Sequence, residues 1–190
     1  MSTIQVIDNF LPNEVFVPFA LECMTRPHYS CSDYATNLSD SDGSILTFGE
    51  DLPAIGKVAP EFMFQATLLR RGLGALQILD FFLDFQKTID KIQEKLNVKK
   101  FHVIRANCTV VQPKAYEGKM HTDMKTFTPK HRIAILYLNT NNGGTKFEDG
   151  TFVQSKKNRC VIAPMDTKHA GVWQTDAKLR FVLNINYEEN

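Results

Sequence analysis

The sequence lacks a charge excess. Its 22 lysines and arginines face 21 aspartates and glutamates, for a net charge of +1. Nucleic acid and anionic membrane surfaces are attracted by a strong basic field, and this chain has none. The densest basic run, Lys156-Lys157-Asn158-Arg159, is short and reads as a solvated turn. Cysteine is sparse as well. Cys23, Cys31, Cys108 and Cys160 form no Cys-x-x-Cys unit, so neither a cysteine zinc site nor a redox pair is expected. Free thiols in a reducing compartment are the expectation. No apolar run nears the ~20 residues of a membrane-spanning helix, and Met1 to Gln5 lacks the pattern of a secretory leader. Gly72-Leu73-Gly74 follows no strand pattern, so it reads as the end of a helix and not as a phosphate loop. These absences leave a soluble, cytoplasmic protein of one domain, with 190 residues and 43% hydrophobic content to build its core.

What is present changes character near residue 100. Ile4 to Ile7 alternates and reads as an edge strand. Asn13 is a candidate cap for a helix from Glu14 to about Met24, closed by Arg26-Pro27. Residues 28–53 are rich in Ser, Asp, Asn and Gly, without periodicity. Such a stretch is either an insert or a lid, and its Tyr29, Tyr34 and Phe48 favour a lid. Pro60 to Arg71 reads as a short helix. Ala75 to Asn97 reads as a long one, because Ile78, Phe82, Phe85, Ile89, Ile92 and Leu96 form one continuous stripe.

From Phe101 the period falls to two. Strands are expected over Phe101–Val111, Arg132–Asn139, Thr145–Phe147, Thr151–Val153, Cys160–Ala163 and Arg180–Tyr187, with Gly143-Gly144 marking a tight turn. Helices followed by many short strands predict an α+β protein, mainly β, with N-terminal helices packed on one sheet of a sandwich or barrel.

Strand parity then sorts the side chains. One face of the first long strand carries Ile104, Ala106 and Cys108, and the other carries Arg105, Asn107 and Thr109. In the last strand Phe181, Leu183, Ile185 and Tyr187 oppose Arg180, Val182, Asn184 and Asn186. A sheet open to solvent gives this pattern, and so does a barrel with a polar interior. Asparagine is a poor strand former, and two on one face favour the interior.

Met120-His121-Thr122-Asp123 holds the strongest chemical signal. His121 and Asp123 stand at i and i+2, so on a strand end both point the same way. With His169 from a distant segment they would complete a two-histidine, one-carboxylate face that leaves three positions of an octahedron open. That donor set suits non-haem iron. Each part alone is weak: His-x-Asp is common, and His169 taken singly reads as a surface histidine in the loop Asp166–Gly171. Arg180 could be a salt-bridge residue at a sheet edge, or the bidentate holder of a carboxylate beside the metal.

Together these residues resemble the 2-oxoglutarate/Fe(II)-dependent dioxygenases, particularly the prolyl-4-hydroxylase-like branch. The resemblance is carried by His121-Thr122-Asp123, the strand Arg132 to Asn139 ending in Tyr137-Leu138-Asn139, Gly143-Gly144 with Phe147, His169, and Arg180-Phe181-Val182-Leu183-Asn184. The opening Ile7-Asp8-Asn9-Phe10-Leu11-Pro12 is similar too. The likeness is firm over 101–190 and loose before. It implies a double-stranded β-helix (jelly-roll, cupin-like) core over 101–190, with 1–100 as helical support and a possible lid. It implies Fe(II) on His121, Asp123 and His169, 2-oxoglutarate and O2 as co-substrates, and ascorbate as a candidate reductant. Arg180 matches the residue that binds the distal carboxylate of 2-oxoglutarate. Tyr137 matches a tyrosine that supports the same carboxylate, and a plain core tyrosine is the other reading. Arg105, Asn107, Asn184 and Asn186 are candidate contacts for co-substrate or substrate. Trp173, close to His169, could line the substrate mouth or simply pack.

Two features depart from the family. The interval from His169 to Arg180 is slightly long, and a bulge or wider turn at Gly171-Val172-Trp173 could absorb it. Val110 to Tyr116 lacks the Tyr-x-x-Gly pattern of peptide prolyl hydroxylases, which weakens the case for a prolyl substrate. The expected activity is hydroxylation of a protein, peptide or small-molecule substrate, with succinate and CO2 released. The alternatives are a non-catalytic cupin-like metal- or ligand-binding module, and an interaction protein whose histidines are incidental.

Overall fold

The computed structural model describes residues 4–26, 30–32, 63–71, 76–78 and 80–190. In chain order the elements are β1 (Gln5–Ile7), α1 (Asn13–Thr25), β2 (Ser30–Ser32), β3 (Met63–Arg71), β4 (Leu76–Ile78), α2 (Asp80–Leu83) and α3 (Gln86–Lys95). They continue with β5 (Val98–Val110), β6 (Tyr116–Glu117), β7 (His131–Tyr137), β8 (Gly144–Phe147), β9 (Phe152–Gln154), β10 (Cys160–Pro164), β11 (His169–Trp173) and β12 (Leu179–Glu189).

Two antiparallel sheets result. The larger runs β1-β10-β7-β12-β5-β3-β2, with β4 on β3, and the smaller runs β6-β11-β8-β9. From β5 onward the chain passes back and forth between them, each sheet taking four of the last eight strands. This is the double-stranded β-helix. No helix among the described residues is long and apolar enough to cross a membrane.

The large sheet has two different faces because side chains alternate along a strand. On one face Ile104, Ala106, Cys108, Ala134, Leu136, Leu183, Ile185 and Tyr187 pack with Phe16, Phe19 and Ala20 of α1 and Ile89 and Ile92 of α3. Toward the small sheet, Ile133, Ile135, Tyr137 and Val182 pack with Phe147 and Val153 of β8 and β9. The polar residues of β5 and β12 share this second face. Of the two readings of the strand pattern, the interior one is correct.

The helical part of the chain differs from expectation in instructive ways. Pro60–Arg71 is not a helix, since Met63–Arg71 is strand β3, paired with β5. A bulge between Thr67 and Leu69 buries Leu68 and Leu69 in succession, and Ala66 with Leu69 mimics helical spacing. The N-terminal region therefore extends the large sheet as well as covering it. The long helix is also interrupted: Leu76–Ile78 is a strand, and Phe85, at φ −105° and ψ 30°, separates α2 from α3. The stripe still chose the buried face, for Phe82, Ile89, Ile92 and Leu96 are all in the core. Asn97, in the left-handed region at φ 51°, ends α3 and turns the chain into β5. Asn13 is the first helical residue and not the cap, a position taken by Pro12 without a side-chain hydrogen bond. Ser30–Ser32 pairs with β3. The rest of the expected lid at 28–53 and the turn at Gly72-Leu73-Gly74 lie outside the described residues.

Candidate active site

His169 opens β11, which pairs with β8 through His169 opposite Phe147. The segment expected to be a loop from Asp166 is therefore a strand from His169 onward, and His169 is 3% exposed. His121 lies against it as an isolated bridge. The His121 N–H donates to the His169 carbonyl at 3.0 Å, and the His169 N–H donates back at 2.9 Å. This reciprocal pair fixes the spacing of the two imidazoles, whose ring centres are 4.8 Å apart. Asp123, two residues on, turns to the same side. Its Oδ1 is 3.5 Å from His121 Nε2 and 3.4 Å from His169 Nε2.

The ligating atoms of His121, Asp123 and His169 all lie within 4.8 Å of one another. Both rings are oriented from behind: His121 Nδ1 is 3.0 Å from the Lys119 carbonyl and His169 Nδ1 is 3.3 Å from that of Thr167. Donation from Nδ1–H leaves each Nε2 as the ligating nitrogen. His169 Nε2 is buried without a hydrogen bond. A buried imidazole nitrogen, a second one and a carboxylate converging on one point make a donor set that fits a divalent metal. Burial alone would raise the Asp123 carboxyl, but the contacts with His121 and His169 outweigh it and hold the acid well below the usual carboxylate range. Burial also works against the His169 cation, and the neighbouring Asp123 more than offsets it, so the imidazole pKa is raised.

Arg180 belongs to the large sheet. It is 4% exposed and stands on β12 opposite Thr109 of β5. Its Nη2 donates to the Gly144 carbonyl at 2.8 Å, while its Nε has no partner among the described residues. The guanidinium lies 5.7 Å from the centre of the Tyr137 ring, close enough for a cation–π contact. Tyr137 is fully buried in the inter-sheet core, which settles its direction as inward. Its hydroxyl shares a 2.8 Å hydrogen bond with the Thr145 hydroxyl and donates to the Val153 carbonyl at 3.1 Å. Thr109, opposite Arg180, is tied to Gln174 by paired 3.0 Å hydrogen bonds. Burial lowers the Arg180 guanidinium, and Tyr137 opposes the change. An arginine remains charged throughout.

Arg105, Asn107, Asn184 and Asn186 line the wall above Arg180. The registers Val182 to Asn107 and Asn184 to Arg105 place them side by side. Asn107 and Asn186 are buried, and the Oδ1 atoms of Asn107, Asn184 and Asn186 lack hydrogen-bond partners among the described residues. The structure thus gathers His121, Asp123 and His169 at one point beside the small sheet, and sets Arg105, Asn107, Asn184, Asn186 and Arg180 along one face of β5 and β12 in the large sheet. Trp173 is 1% exposed and packs edge-on against Tyr116, a core position.

Two features of the site had no usable sequence signal, and a third was read differently from what the structure shows. Gln174 lies in the turn after β11. Gln65, Thr67 and Arg70, opposite the β5 pocket face, belong to β3, whose pattern suggested a helix. Gly143 and Gly144 are not a turn: an added Cβ at Gly144 would come within 2.3 Å of the Val153 carbonyl and 2.7 Å of the Phe152 ring, and one at Gly143 within 2.6 Å of the Val172 carbonyl. Close approach of β8 to its neighbours requires these glycines, and Gly144 then offers its carbonyl to Arg180. Nor does a bulge at Gly171-Val172-Trp173 absorb the long His169–Arg180 interval. Those residues pair regularly in β11, and the extra length is taken by the turn from Gln174 to Lys178. A cavity of about 310 Å³ lies elsewhere, lined by Phe127, His131, Arg132 and Met165 among others, and none of the candidate residues faces it.

No family model and no curated protein matches the chain. Solved structures do. A 2OG-Fe(II) oxygenase family oxidoreductase from Burkholderia pseudomallei superposes with a TM-score of 0.64 at 9% identity, covering 100% of this chain and 86% of its own. A Pseudomonas putida prolyl-4-hydroxylase gives 0.55 at 14% identity, covering 100% and 94%. The non-heme alpha ketoglutarate dependent epimerase SnoN of nogalamycin biosynthesis gives 0.64 at 10% identity, covering 99% and 79%. At such identities the likeness is one of fold, and the fold is that of the 2-oxoglutarate oxygenases.

Proposed function

We propose that the chain is an Fe(II)- and 2-oxoglutarate-dependent dioxygenase that hydroxylates an organic substrate. The observation that carries this is the convergence of the His121, Asp123 and His169 ligand atoms, together with a buried cation, Arg180, on β12 of the other sheet. The iron and 2-oxoglutarate, with O2, would supply the oxidising power for attack on a C–H bond, with succinate and CO2 as the by-products. The superposed structures support the same chemistry on this scaffold, since their names include a hydroxylase and a 2-oxoglutarate-dependent epimerase.

His121 and His169 would present Nε2 atoms on rings held in place by the carbonyls behind them, so a metal would meet ligands that need no reorganisation. Asp123 brings one negative charge and leaves half the coordination sphere for other groups. Arg180 binds the distal carboxylate of 2-oxoglutarate through its unpaired Nε and a free Nη edge, with Gly144 anchoring the fork. The Tyr137 hydroxyl would donate to the same carboxylate in place of the Val153 carbonyl. Val182, Ile133 and Ile135 form the apolar wall along which the methylene chain would lie, and they exclude water from it. Residues 98–190 serve as the catalytic core and the preceding segments as its support. The buried free thiols Cys23, Cys108 and Cys160 support an intracellular setting.

Purified protein supplied with Fe(II), 2-oxoglutarate and O2 should form succinate. Production should vanish in His121→Ala. Arg180→Gln should raise the 2-oxoglutarate requirement by on the order of 30-fold or more, as expected when a buried charge pair loses one member. Tight metal binding without 2-oxoglutarate turnover would overturn the proposal in favour of a binding module. Turnover without iron would overturn it outright.

A further inference from the structure

Arg105 is a charge that binding of the metal and 2-oxoglutarate leaves unused. It occupies the middle of the large sheet on β5, between Asn184 of β12 and Thr67 of β3. Its side chain is half-buried, yet among the described residues it has no hydrogen bond and no ion pair. The charges it senses are the Asp123 carboxylate, which is committed to the metal, and the like-charged Arg70 of β3. Beside it the Oδ1 atoms of Asn107, Asn184 and Asn186 are buried and unpartnered. Guanidinium and amide groups left unsatisfied in an interior are costly unless something completes them.

Position separates this arginine from the one proposed for the co-substrate. Arg180 is level with Thr109, whereas Arg105 is four residues along β5, a rise of roughly 13 Å. Arg105 therefore stands at the Asp123 end of the pocket. Charge counting agrees. A divalent metal with one carboxylate ligand is singly positive, and a dicarboxylate with Arg180 balances it. Arg105 then remains in excess, with the exposed Arg70 adding to the positive charge around it.

Resting on the oxygenase reading above, we infer that Arg105 anchors a carboxylate of the primary substrate, and that the unpartnered asparagine oxygens receive N–H donors of the same molecule. One planar fork matches one carboxylate. Acceptor oxygens beside it match an ammonium or amide N–H. The substrate class is thus a carboxylate carried next to N–H groups, as in a free amino acid or the C-terminus of a peptide.

Protein loaded with Mn(II) and N-oxalylglycine, which occupies the co-substrate site without turnover, tests this by calorimetric titration. The probes are the free amino acids, a set of short peptides, and the same peptides as C-terminal amides. At least one free-carboxylate probe should bind, with its amide at least ten-fold weaker. Preference for amino acids or for peptides identifies the source of the carboxylate. Arg105→Gln should lose at least ten-fold in probe affinity while keeping its Mn(II) and N-oxalylglycine affinities, which also shows that it is folded. Arg105→Lys should fall between. Absence of any bound probe, equal binding of acids and amides, or unchanged binding in Arg105→Gln would each overturn the inference. So would loss of N-oxalylglycine affinity in Arg105→Gln, which would make Arg105 a co-substrate residue. Failure of wild-type protein to bind Mn(II) and N-oxalylglycine would instead sink the oxygenase reading, and this inference with it.

Discussion

The residues of the site owe their effect to what surrounds them. His121 and His169 are oriented twice, by the reciprocal backbone pair between them and by the carbonyls of Lys119 and Thr167 behind their rings. Tyr137 is similarly over-determined, with Thr145 and Val153 at its hydroxyl and Arg180 over its ring. Tyr137→Phe removes one donor from the proposed carboxylate site. It should raise the 2-oxoglutarate requirement roughly five-fold, an effect of about 1 kcal/mol, with the protein still folded. Equilibrium binding of 2-oxoglutarate to Mn(II)-loaded protein measures this directly, and an unchanged affinity would return Tyr137 to a purely packing role. The Cys108 thiol, on the opposite face of β5 from Arg105, is pushed up to about 11 by burial and takes no part in this chemistry.

Among the elements, β8 and β11 link the two ends of the pocket. Strand β11 carries His169 and pairs with β8, whose first residue gives Arg180 its carbonyl partner. The contact depends on Gly144 having no side chain, because Val153 and Phe152 of β9 occupy the space a Cβ would take. Gly144→Ala forces β8 away from β9 and should destabilise the fold by about 1–3 kcal/mol, the usual cost of overpacking. Chemical denaturation would give this figure. The same variant should weaken 2-oxoglutarate binding, since displacing β8 moves the Arg180 anchor. Gly150, in contrast, is needed for its backbone: its φ of +89° lies in a turn where a Cβ would meet nothing.

At the scale of the whole molecule, the N-terminal segment is fastened to the turn between β9 and β10. Asn158, left-handed at φ 61°, exchanges side-chain hydrogen bonds with the backbone of Leu11 at 3.0 and 2.7 Å. Asp8 accepts from Arg159 and Lys156, the two ends of the basic run that the sequence presented as a solvated turn. These partners, Arg159 first, hold the Asp8 carboxyl well below its usual range. A depressed acid contributes stability that is fully present above its unfolded pKa near 4, and that contribution is lost as the pH falls from there through the lower folded value. With Asp8 more than a third exposed, solvent screening limits the contribution to about 1 kcal/mol or less. The stability difference between wild type and Asp8→Asn, followed by urea denaturation, should be constant from pH 7 to about pH 5 and shrink below pH 4. A difference that grew on acidification would exclude the assignment.

Sequence alone determined six of the strands from Phe101 onward, the apolar and polar faces of the two longest, and the residue types able to hold a metal and a dicarboxylate. Those properties follow from side-chain alternation and donor chemistry, both local in the chain. The tertiary structure decided everything that depends on which segments meet. It turned Met63–Arg71 from an expected helix into a strand, because pairing with β5 outweighed a pattern that a bulge had disguised. It broke the long helix at Phe85 while keeping the buried stripe. It made His169 a strand residue bonded to His121, and so converted two weak signals into one site. It also revealed Arg105 as a half-buried cation without a partner among the described residues, which no spacing along the chain could show, because partners are set by which segments meet in space.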